Sequence, residues 1–303
     1  MNEKTIATIA LQNGGYKDLQ VTLADAARWL EFASAQGAQL AVFPETINLY
    51  HRSSASTPLE DLALDDWELA TAALCETAAR CKISLVLPLL VRHNQALFNR
   101  FYIIASDGSS LGYYQKLVLA PGERDCGIQP GTPAPVRWEG LIIGGAICID
   151  VYYPHQVFTP QIDAGADFFV IPSLTPGGSF LEFNAVTYGV PMVLAYAPWS
   201  RILDRDGTQL AAGGYRWETL SMGFGSPVMQ ATINFDAVTL FADHNQQKMR
   251  DVQLHYGRNV RIRFDQSNCL FTLESRSADL SVEEVMPDYH NNLVGFRPAR
   301  TYR

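Results

Sequence analysis

The sequence lacks both an excess of basic residues and a long apolar segment. Its 303 residues carry 23 lysines and arginines against 31 aspartates and glutamates, which gives a formal net charge of -8. A protein that binds the phosphate backbone of nucleic acid needs a basic surface, so this charge argues against such a partner. The longest apolar stretches, 83–91 and 141–149, are too short to span a membrane. We therefore expect neither nucleic acid nor a membrane as a partner.

The cysteines are few and show no paired spacing. There are five, an odd number, with no CxxC pair and no cysteine and histidine cluster at zinc-finger spacing. This pattern argues against a disulfide framework and against a structural metal. The N-terminal segment MNEKTIATIALQ lacks the charged and apolar regions of a signal peptide. The sequence predicts a cytoplasmic protein with free thiols and no metal.

Several common catalytic motifs are also absent. The chain has no GxSxG elbow, no HExxH pair, no Walker phosphate loop and no GxGxxG after its first strand. Nucleotide hydrolysis, dinucleotide binding and zinc proteolysis therefore lack their usual sequence support.

The hydrophobic pattern predicts an α/β fold. Helical spacing of apolar residues predicts helices over 21–36 and 65–80, and apolar runs predict strands that include 5–11, 40–43, 83–91 and 141–147. Proline and glycine scattered over 122–139 predict an irregular loop, and a hairpin is predicted around 266–268. Strands alternate with helices and then recur in pairs, which is typical of a layered α/β sandwich.

Three reactive side chains stand at or just beyond the ends of predicted strands. Glu45 follows the strand that ends before Pro44, Lys116 closes a strand that begins at 111, and Cys148 follows 141–147. A carboxylate can take the proton of a thiol and later return it to a leaving amine. A lysine ammonium can stabilise the oxyanion of a tetrahedral intermediate. These residues suffice for acyl transfer through a thioester.

Each of these residues also has a simpler interpretation. A cysteine at the end of an apolar strand is more often a small buried side chain, and a glutamate beside a proline is more often solvated. A lysine after two tyrosines is ordinarily a surface residue with a buried stem. Spacing alone does not decide between the catalytic and the simpler interpretation.

Three segments resemble the signature blocks of the nitrilase superfamily of carbon-nitrogen hydrolases. They are AVFPET, YYQKLVLAPGER and GGAICIDVYYPH, and they occur in the family's order. The resemblance implies a four-layer α-β-β-α sandwich, with no metal or organic cofactor. It also implies a homodimer or a larger homo-oligomer built on that dimer. We accordingly predict a carbon-nitrogen hydrolase domain over 1–245 and a C-terminal extension over 246–303 that contacts the partner subunit.

The resemblance also implies a role for each site residue. Glu45 would be the general base, Lys116 the oxyanion stabiliser and Cys148 the nucleophile. The backbone N–H of Ile149 would complete the oxyanion hole. Glu123 falls near the position of a second glutamate that many members use to position substrate, and its alternative is a loop salt bridge with the neighbouring arginine.

Aromatic residues in nearby loops are candidates for the substrate pocket. They would suit an apolar or aromatic acyl group, and the other interpretation is that at least half of them pack under loops or at a subunit interface. The candidates are Tyr50, His51, Tyr152, Tyr153 and Trp199.

The expected activity is hydrolysis of a small-molecule amide or carbamoyl amide with release of ammonia or an amine. The alternative is a nitrilase, because QKLVLAPGER resembles that branch. However, the segment Cys148-Ile149-Asp150 lacks the Cys-Trp-Glu that is typical of nitrilases. The segment FLEFNAVTYG also lacks the arginine usual in that helix of the family. An acyl-transferring relative and a catalytically silent one remain further alternatives.

Overall fold

Two six-stranded β-sheets lie face to face, and helices cover their outer surfaces. The computed structural model describes residues 2–11, 15–52, 57–214 and 227–289. The resulting α-β-β-α layers confirm the predicted α/β sandwich.

The first sheet has the strand order β12-β1-β2-β3-β4-β5. Strands β1, β2 and β3 are parallel to one another, and the other neighbouring strands pair antiparallel. The strands are β1 (Glu3–Ile9), β2 (Leu40–Val42), β3 (Ser84–His93), β4 (Ala96–Ile104), β5 (Ser110–Gln115) and β12 (Val228–Asn234).

The second sheet has the order β11-β10-β9-β8-β7-β6. Strands β7, β8 and β9 are parallel, with antiparallel strands on either side, as in the first sheet. The strands are β6 (Val136–Trp138), β7 (Leu141–Gly145), β8 (Phe168–Ser173), β9 (Met192–Tyr196), β10 (Ser200–Leu203) and β11 (Gln209–Gly213).

Helices α1 (Leu19–Ala35) and α2 (Trp67–Cys81) confirm the two helices predicted in the first half of the chain. Each begins at an aspartate, Asp18 or Asp66, whose carboxylate accepts a hydrogen bond from a free N–H of the first turn. Both helices pack on the outer face of the first sheet.

The outer face of the second sheet is covered by α4 (Pro154–Asp163) and α5 (Phe180–Tyr188). The segment predicted to be irregular, 122–139, contains strand β6 and most of a short helix, α3 (Pro121–Asp125). Proline at the first position of α3 suits a helix start, because that N–H needs no partner there.

The central core lies between the two sheets. Alternate residues of each strand point inward, and these include Ile6, Val42, Val86, Ile143, Val170 and Val193. The other residues of the same strands pack against the helices. Because the parallel strands are covered on both faces, their sequences are continuous apolar runs rather than alternating ones.

A third, smaller sheet follows in the chain. It has the order β13-β15-β14 and is entirely antiparallel. The predicted hairpin around 266–268 is confirmed, with Asp265 accepting bonds from the turn amides. The elements are β13 (Ala237–Phe241), α6 (Ala242–Tyr256), β14 (Val260–Asp265), β15 (Leu270–Ser275) and α7 (Val282–Tyr289).

A buried ionic cluster attaches this small sheet to the second large sheet. The guanidinium of Arg263 on β14 contacts Asp204 and lies 3.2 Å from both Asp206 and Glu274. The two aspartates lie in the turn between β10 and β11.

The division of the chain at 245 and 246 stays a prediction. Among the described residues, no helix is long and apolar enough to cross a membrane.

Two glycines at the end of β7 allow aromatic rings to approach the backbone. A Cβ at Gly145 would overlap the ring of Tyr114, so Gly145→Ala should lower the free energy of unfolding by about 1–3 kcal/mol. Urea unfolding measures this loss. Gly122→Ala is the control, since a Cβ there meets nothing within 4 Å. Equal losses in both variants would contradict the steric explanation.

Candidate active site

The three reactive side chains come from both large sheets. Glu45 follows β2 and Lys116 follows β5 in the first sheet, whereas Cys148 follows β7 in the second. The glutamate and lysine side chains are buried, and the cysteine is half-buried. The charges of Glu45 and Lys116 both act on the Cys148 thiol, so the structure brings the three groups into one site.

Two non-glycine residues of the site have left-handed backbone conformations. Thr46, directly after Glu45, has φ 47°, and Cys148 has φ 51°. Such conformations cost free energy and persist only where the surrounding structure holds them. The turn at Cys148, three residues after the end of β7, starts a short 3-10 helix, Cys148–Tyr152.

The Lys116 ammonium lies between two carboxylates. Its Nζ donates hydrogen bonds of 2.8 Å to Oε1 of Glu45 and of 2.8 Å to Oε1 of Glu123. The lysine side chain is only 2% exposed, and the Glu45 side chain 3%. A buried cation without such partners would be strongly unfavourable, so these bonds hold it in place.

Asn99 on β4 completes this arrangement, and sequence reasoning missed it. Its Nδ2 donates to Oε1 of Glu45 at 2.8 Å and to Oε1 of Glu123 at 2.9 Å. The two carboxylate oxygens are thus each shared by Lys116 and Asn99. The Lys116 N–H donates to the carbonyl of Asn99, which places the residues on neighbouring strands side by side. The only sequence signal was a polar pair, Asn99 and Arg100, within a run of apolar residues.

Glu123 belongs to the site rather than to a loop salt bridge. It lies in the first turn of α3, where its Oε2 accepts a hydrogen bond of 2.8 Å from the N–H of Ala120. Its Oε1 faces Lys116 and Asn99, so both carboxylate oxygens are occupied. The alternative pairing with Arg124 is not what the structure shows.

The loop after β8 closes the site from the second sheet. The N–H of Leu174 donates to Oε2 of Glu45 at 3.0 Å, and Oγ1 of Thr175 lies 3.6 Å from Sγ of Cys148. Oγ of Ser173 holds Thr175 through hydrogen bonds to its N–H and carbonyl. This loop therefore contacts both the carboxylate and the thiol.

The electrostatics of the site keep the Cys148 thiol protonated at rest. Burial raises the pKa of this thiol, and the Glu45 carboxylate raises it further. The Lys116 ammonium and a hydrogen bond from Thr175 offset only part of this rise. A thiol with a raised pKa needs a neighbouring base to become a nucleophile.

The same surroundings keep Lys116 charged. Burial by itself would lower the pKa of its ammonium group. The carboxylates of Glu45 and Glu123 outweigh burial and raise the pKa above its usual value. The site thus holds a permanent positive charge beside a protonated thiol.

The Ile149 N–H, predicted to complete an oxyanion hole, directly follows the cysteine. The N–H groups of Asp150 and Tyr153 donate to the carbonyls of Ile147 and Asp150 within the same short turn. In contrast, the Ile149 N–H has no hydrogen-bond acceptor within the described residues. Its role stays a prediction.

The five candidate pocket residues differ in their placement. Tyr50 is buried in the core under the first sheet, and burial followed by the charge of Glu45 raises the pKa of its hydroxyl. Its neighbour His51 is half-buried. Tyr50 therefore lies close enough to Glu45 for the carboxylate charge to act on its hydroxyl.

The other three candidates lie around the second sheet. Tyr152 and Tyr153 are 38% and 41% exposed, and Tyr152 packs edge-on against Phe180 with ring centroids 4.8 Å apart. Trp199 is half-buried in the turn after β9. Their contact with substrate stays a prediction. No cluster of three or more potential metal ligands occurs among the described residues.

Comparison with known families gives a direct match. Residues 5–183 match the family model described as Carbon-nitrogen hydrolase, which is more than half of the chain. This chain belongs to the carbon-nitrogen hydrolase family. The resemblance to the nitrilase superfamily is therefore confirmed, and the protein is a hydrolase acting on carbon-nitrogen bonds. A comparison with curated proteins found no match.

Solved structures of an amidase resemble this hydrolase in fold. An amidase from Nesterenkonia sp. is 21% identical with a TM-score of 0.62, over 76% of this chain and 90% of that chain. A double mutant of the amidase from Nesterenkonia sp. AN1 in complex with acrylamide is 19% identical, with a TM-score of 0.65 over 84% and 97% of the two chains. Another mutant shows covalent addition of the acetamide moiety of fluoroacetamide at the active site cysteine. It is 20% identical, with a TM-score of 0.63 over 84% and 97%.

The raised pKa of Cys148 predicts its alkylation behaviour. We expect its reaction with iodoacetamide to reach half its maximal rate at a higher pH than that of Cys126, because the thiolate is the reacting form. Cys126 is exposed and serves as an internal control. Peptide mass spectrometry after short exposures across neutral and alkaline pH measures both rates. A midpoint for Cys148 below that of Cys126 would contradict the assignment.

Proposed function

We propose that this hydrolase cleaves small-molecule amides, including carbamoyl amides, through a thioester on Cys148. The observation that carries the proposal is the buried Lys116, held between Glu45 and Glu123 beside the cysteine. The set combines a nucleophile, a base and a fixed positive charge, and acyl transfer needs all three.

In the first step, Glu45 takes the proton of the Cys148 thiol as the sulfur attacks the carbonyl carbon. A carbon-sulfur bond forms, and the carbonyl π electrons move to the oxygen. The Lys116 ammonium and the Ile149 N–H stabilise the resulting negative charge. Because burial and Glu45 raise the pKa of the thiol, proton transfer accompanies the attack rather than preceding it.

In the second step, the tetrahedral intermediate collapses. The carbon-nitrogen bond breaks, and the leaving nitrogen takes the proton that Glu45 holds, so ammonia or an amine departs and a thioester remains. Water then attacks the thioester carbon while Glu45 takes its proton. Collapse of this second intermediate releases the acid, and the proton on Glu45 returns to the sulfur. Protons and electrons balance over the cycle, and no cofactor is required by it.

Glu123 and Asn99 support these steps without exchanging a proton. Glu123 accepts hydrogen bonds from Lys116 and Asn99, and Asn99 also donates to Glu45. These bonds fix the directions of the Lys116 and Glu45 side chains. Glu123 lies close enough to the lysine to help position a substrate amide as well. Fixed geometry of this kind lowers the barrier, because the reacting groups need no reorganisation.

Amides are favoured over nitriles as substrates. The segment after the cysteine lacks the tryptophan and glutamate expected of nitrilases. The similar solved structures are amidases, one of them with acrylamide bound. Tyr50 and the aromatic residues of the nearby loops suit an apolar acyl group.

The location and the assembly of the protein remain predictions. We expect a cytoplasmic location and a homodimer or larger homo-oligomer in which 246–303 contacts the partner.

The test is a screen for ammonia release from acetamide, benzamide, a carbamoyl amino acid and benzonitrile. We expect turnover of at least one amide and a covalent acyl adduct on Cys148 by mass spectrometry. Cys148→Ala should keep the fold and lower the rate by roughly 10³-fold or more, because no other group replaces the nucleophile. Cys126→Ala should retain full activity, since that thiol is exposed and outside the site.

The outcomes separate the alternatives. Turnover of benzonitrile alone would favour a nitrilase. Formation of an amide or hydroxamate only when an amine or hydroxylamine is added would indicate an acyl-transferring enzyme. Full activity of Cys148→Ala would end the thioester mechanism.

A further inference from the structure

Asp150 is a buried carboxylate that accepts four hydrogen bonds. Its Oδ2 accepts from the hydroxyl of Tyr114 at 2.9 Å and from the N–H groups of Ile147 at 2.9 Å and Leu117 at 3.4 Å. Its Oδ1 accepts from the N–H of Val118 at 2.7 Å. The side chain has no exposed surface.

These donors belong to two different parts of the site. Tyr114, Leu117 and Val118 lie on either side of Lys116, at the end of β5 in the first sheet. Ile147 directly precedes Cys148, two residues after the end of β7 in the second sheet. One carboxylate therefore connects the segment that carries the cation to the segment that carries the nucleophile.

Burial and hydrogen bonding act on the Asp150 carboxylate in opposite directions. Burial raises the pKa of Asp150 to about 6, although the hydrogen bonds from Val118, Ile147 and Tyr114 and the charge of Lys116 oppose the rise. The folded pKa thus lies above the unfolded value of about 3.9. Between these values the folded state binds more protons, so stability falls as the pH rises through that window. At neutral pH the ionised carboxylate costs stability.

The conformation of Cys148 explains what the carboxylate does. The left-handed backbone at this residue persists only if its neighbours hold it, and Asp150 binds the N–H on one side of it while tying the turn to Val118. We propose that Asp150 is a positioning residue that sets the Cys148 sulfur relative to the Lys116 ammonium across the two sheets. This inference rests on the proposed function, since it assigns the distance on which thioester formation depends.

The first test is Asp150→Asn. A carboxamide places an NH₂ group against one set of the N–H donors, so one of the two segments loses its anchor. We expect kcat to fall roughly 10- to 100-fold with KM little changed, because a misplacement of about 1 Å has an effect of that size. The measurement is steady-state hydrolysis of the best amide, with thermal unfolding recorded in parallel.

Asp204→Asn is the matched control. Asp204 is also a buried carboxylate with several donors, but it belongs to the cluster that attaches the small sheet. We expect this variant to lose thermal stability and to keep its kcat. If both variants lose kcat in proportion to their stability, Asp150 has only a structural role and the proposal is wrong.

The second test is Tyr114→Phe, which keeps the ring and removes one donor. The Tyr114 hydroxyl lowers the pKa of Asp150, so its loss should raise that pKa and move the acid limb of the kcat profile to higher pH. The titratable groups that face Asp150 are Tyr114 and Lys116, with Cys148 on its own turn. An acid limb that does not move would overturn the assignment.

A third readout needs no substrate. The pH midpoint for alkylation of Cys148 by iodoacetamide should rise in Asp150→Asn, because a displaced Lys116 no longer lowers the pKa of the thiol. Removal of a negative charge without movement would lower that midpoint instead. A lowered or unchanged midpoint therefore contradicts the positioning role. Failure of Cys148→Ala to abolish turnover would contradict the thioester mechanism independently.

Discussion

The Lys116 ammonium, buried between the carboxylates of Glu45 and Glu123, is the interaction on which the rest of the site depends. A charge removed from water must be balanced by nearby opposite charge and hydrogen bonds. The two carboxylates meet that need, and the amide of Asn99 donates a hydrogen bond to each of them. Removing any one of these groups would leave a buried charge without one of its partners. The positions of these side chains and their charges therefore depend on one another.

The sandwich makes this arrangement possible because the two sheets contribute different chemistry. The first sheet supplies the Glu45 carboxylate and the Lys116 cation, just after the ends of β2 and β5. The second supplies the thiol at the end of β7, and a loop amide at Leu174 that reaches the Glu45 carboxylate. Asp150 then joins the β5 and β7 ends. The active geometry therefore depends on how the sheets pack, and the apolar core between them is part of the catalytic structure.

Local patterns predicted most of the elements, because strand and helix periodicity reflect burial that is already encoded residue by residue. Both early helices, the central strands and the hairpin after β14 were correct. The segment 122–139 was predicted to be irregular, but it contains β6 and most of α3. Proline and glycine are typical of loops, and a proline also starts α3. Asn99 was missed because its importance lies in two partners, Glu45 and Glu123, that are distant in sequence and adjacent only through tertiary packing.

By itself, the sequence determined the class of the protein and singled out Glu45, Lys116 and Cys148 as its candidate reactive residues. The order of the signature blocks around Glu45, Lys116 and Cys148 is a property of the sequence alone and does not depend on the fold. Only the tertiary structure decided that Glu123 faces the lysine rather than Arg124, and that Asp150 spans two sheets. The physical reason is that hydrogen bonds between buried groups depend on distances of a few tenths of an ångström, which strand register and sheet packing set and which linear spacing does not contain.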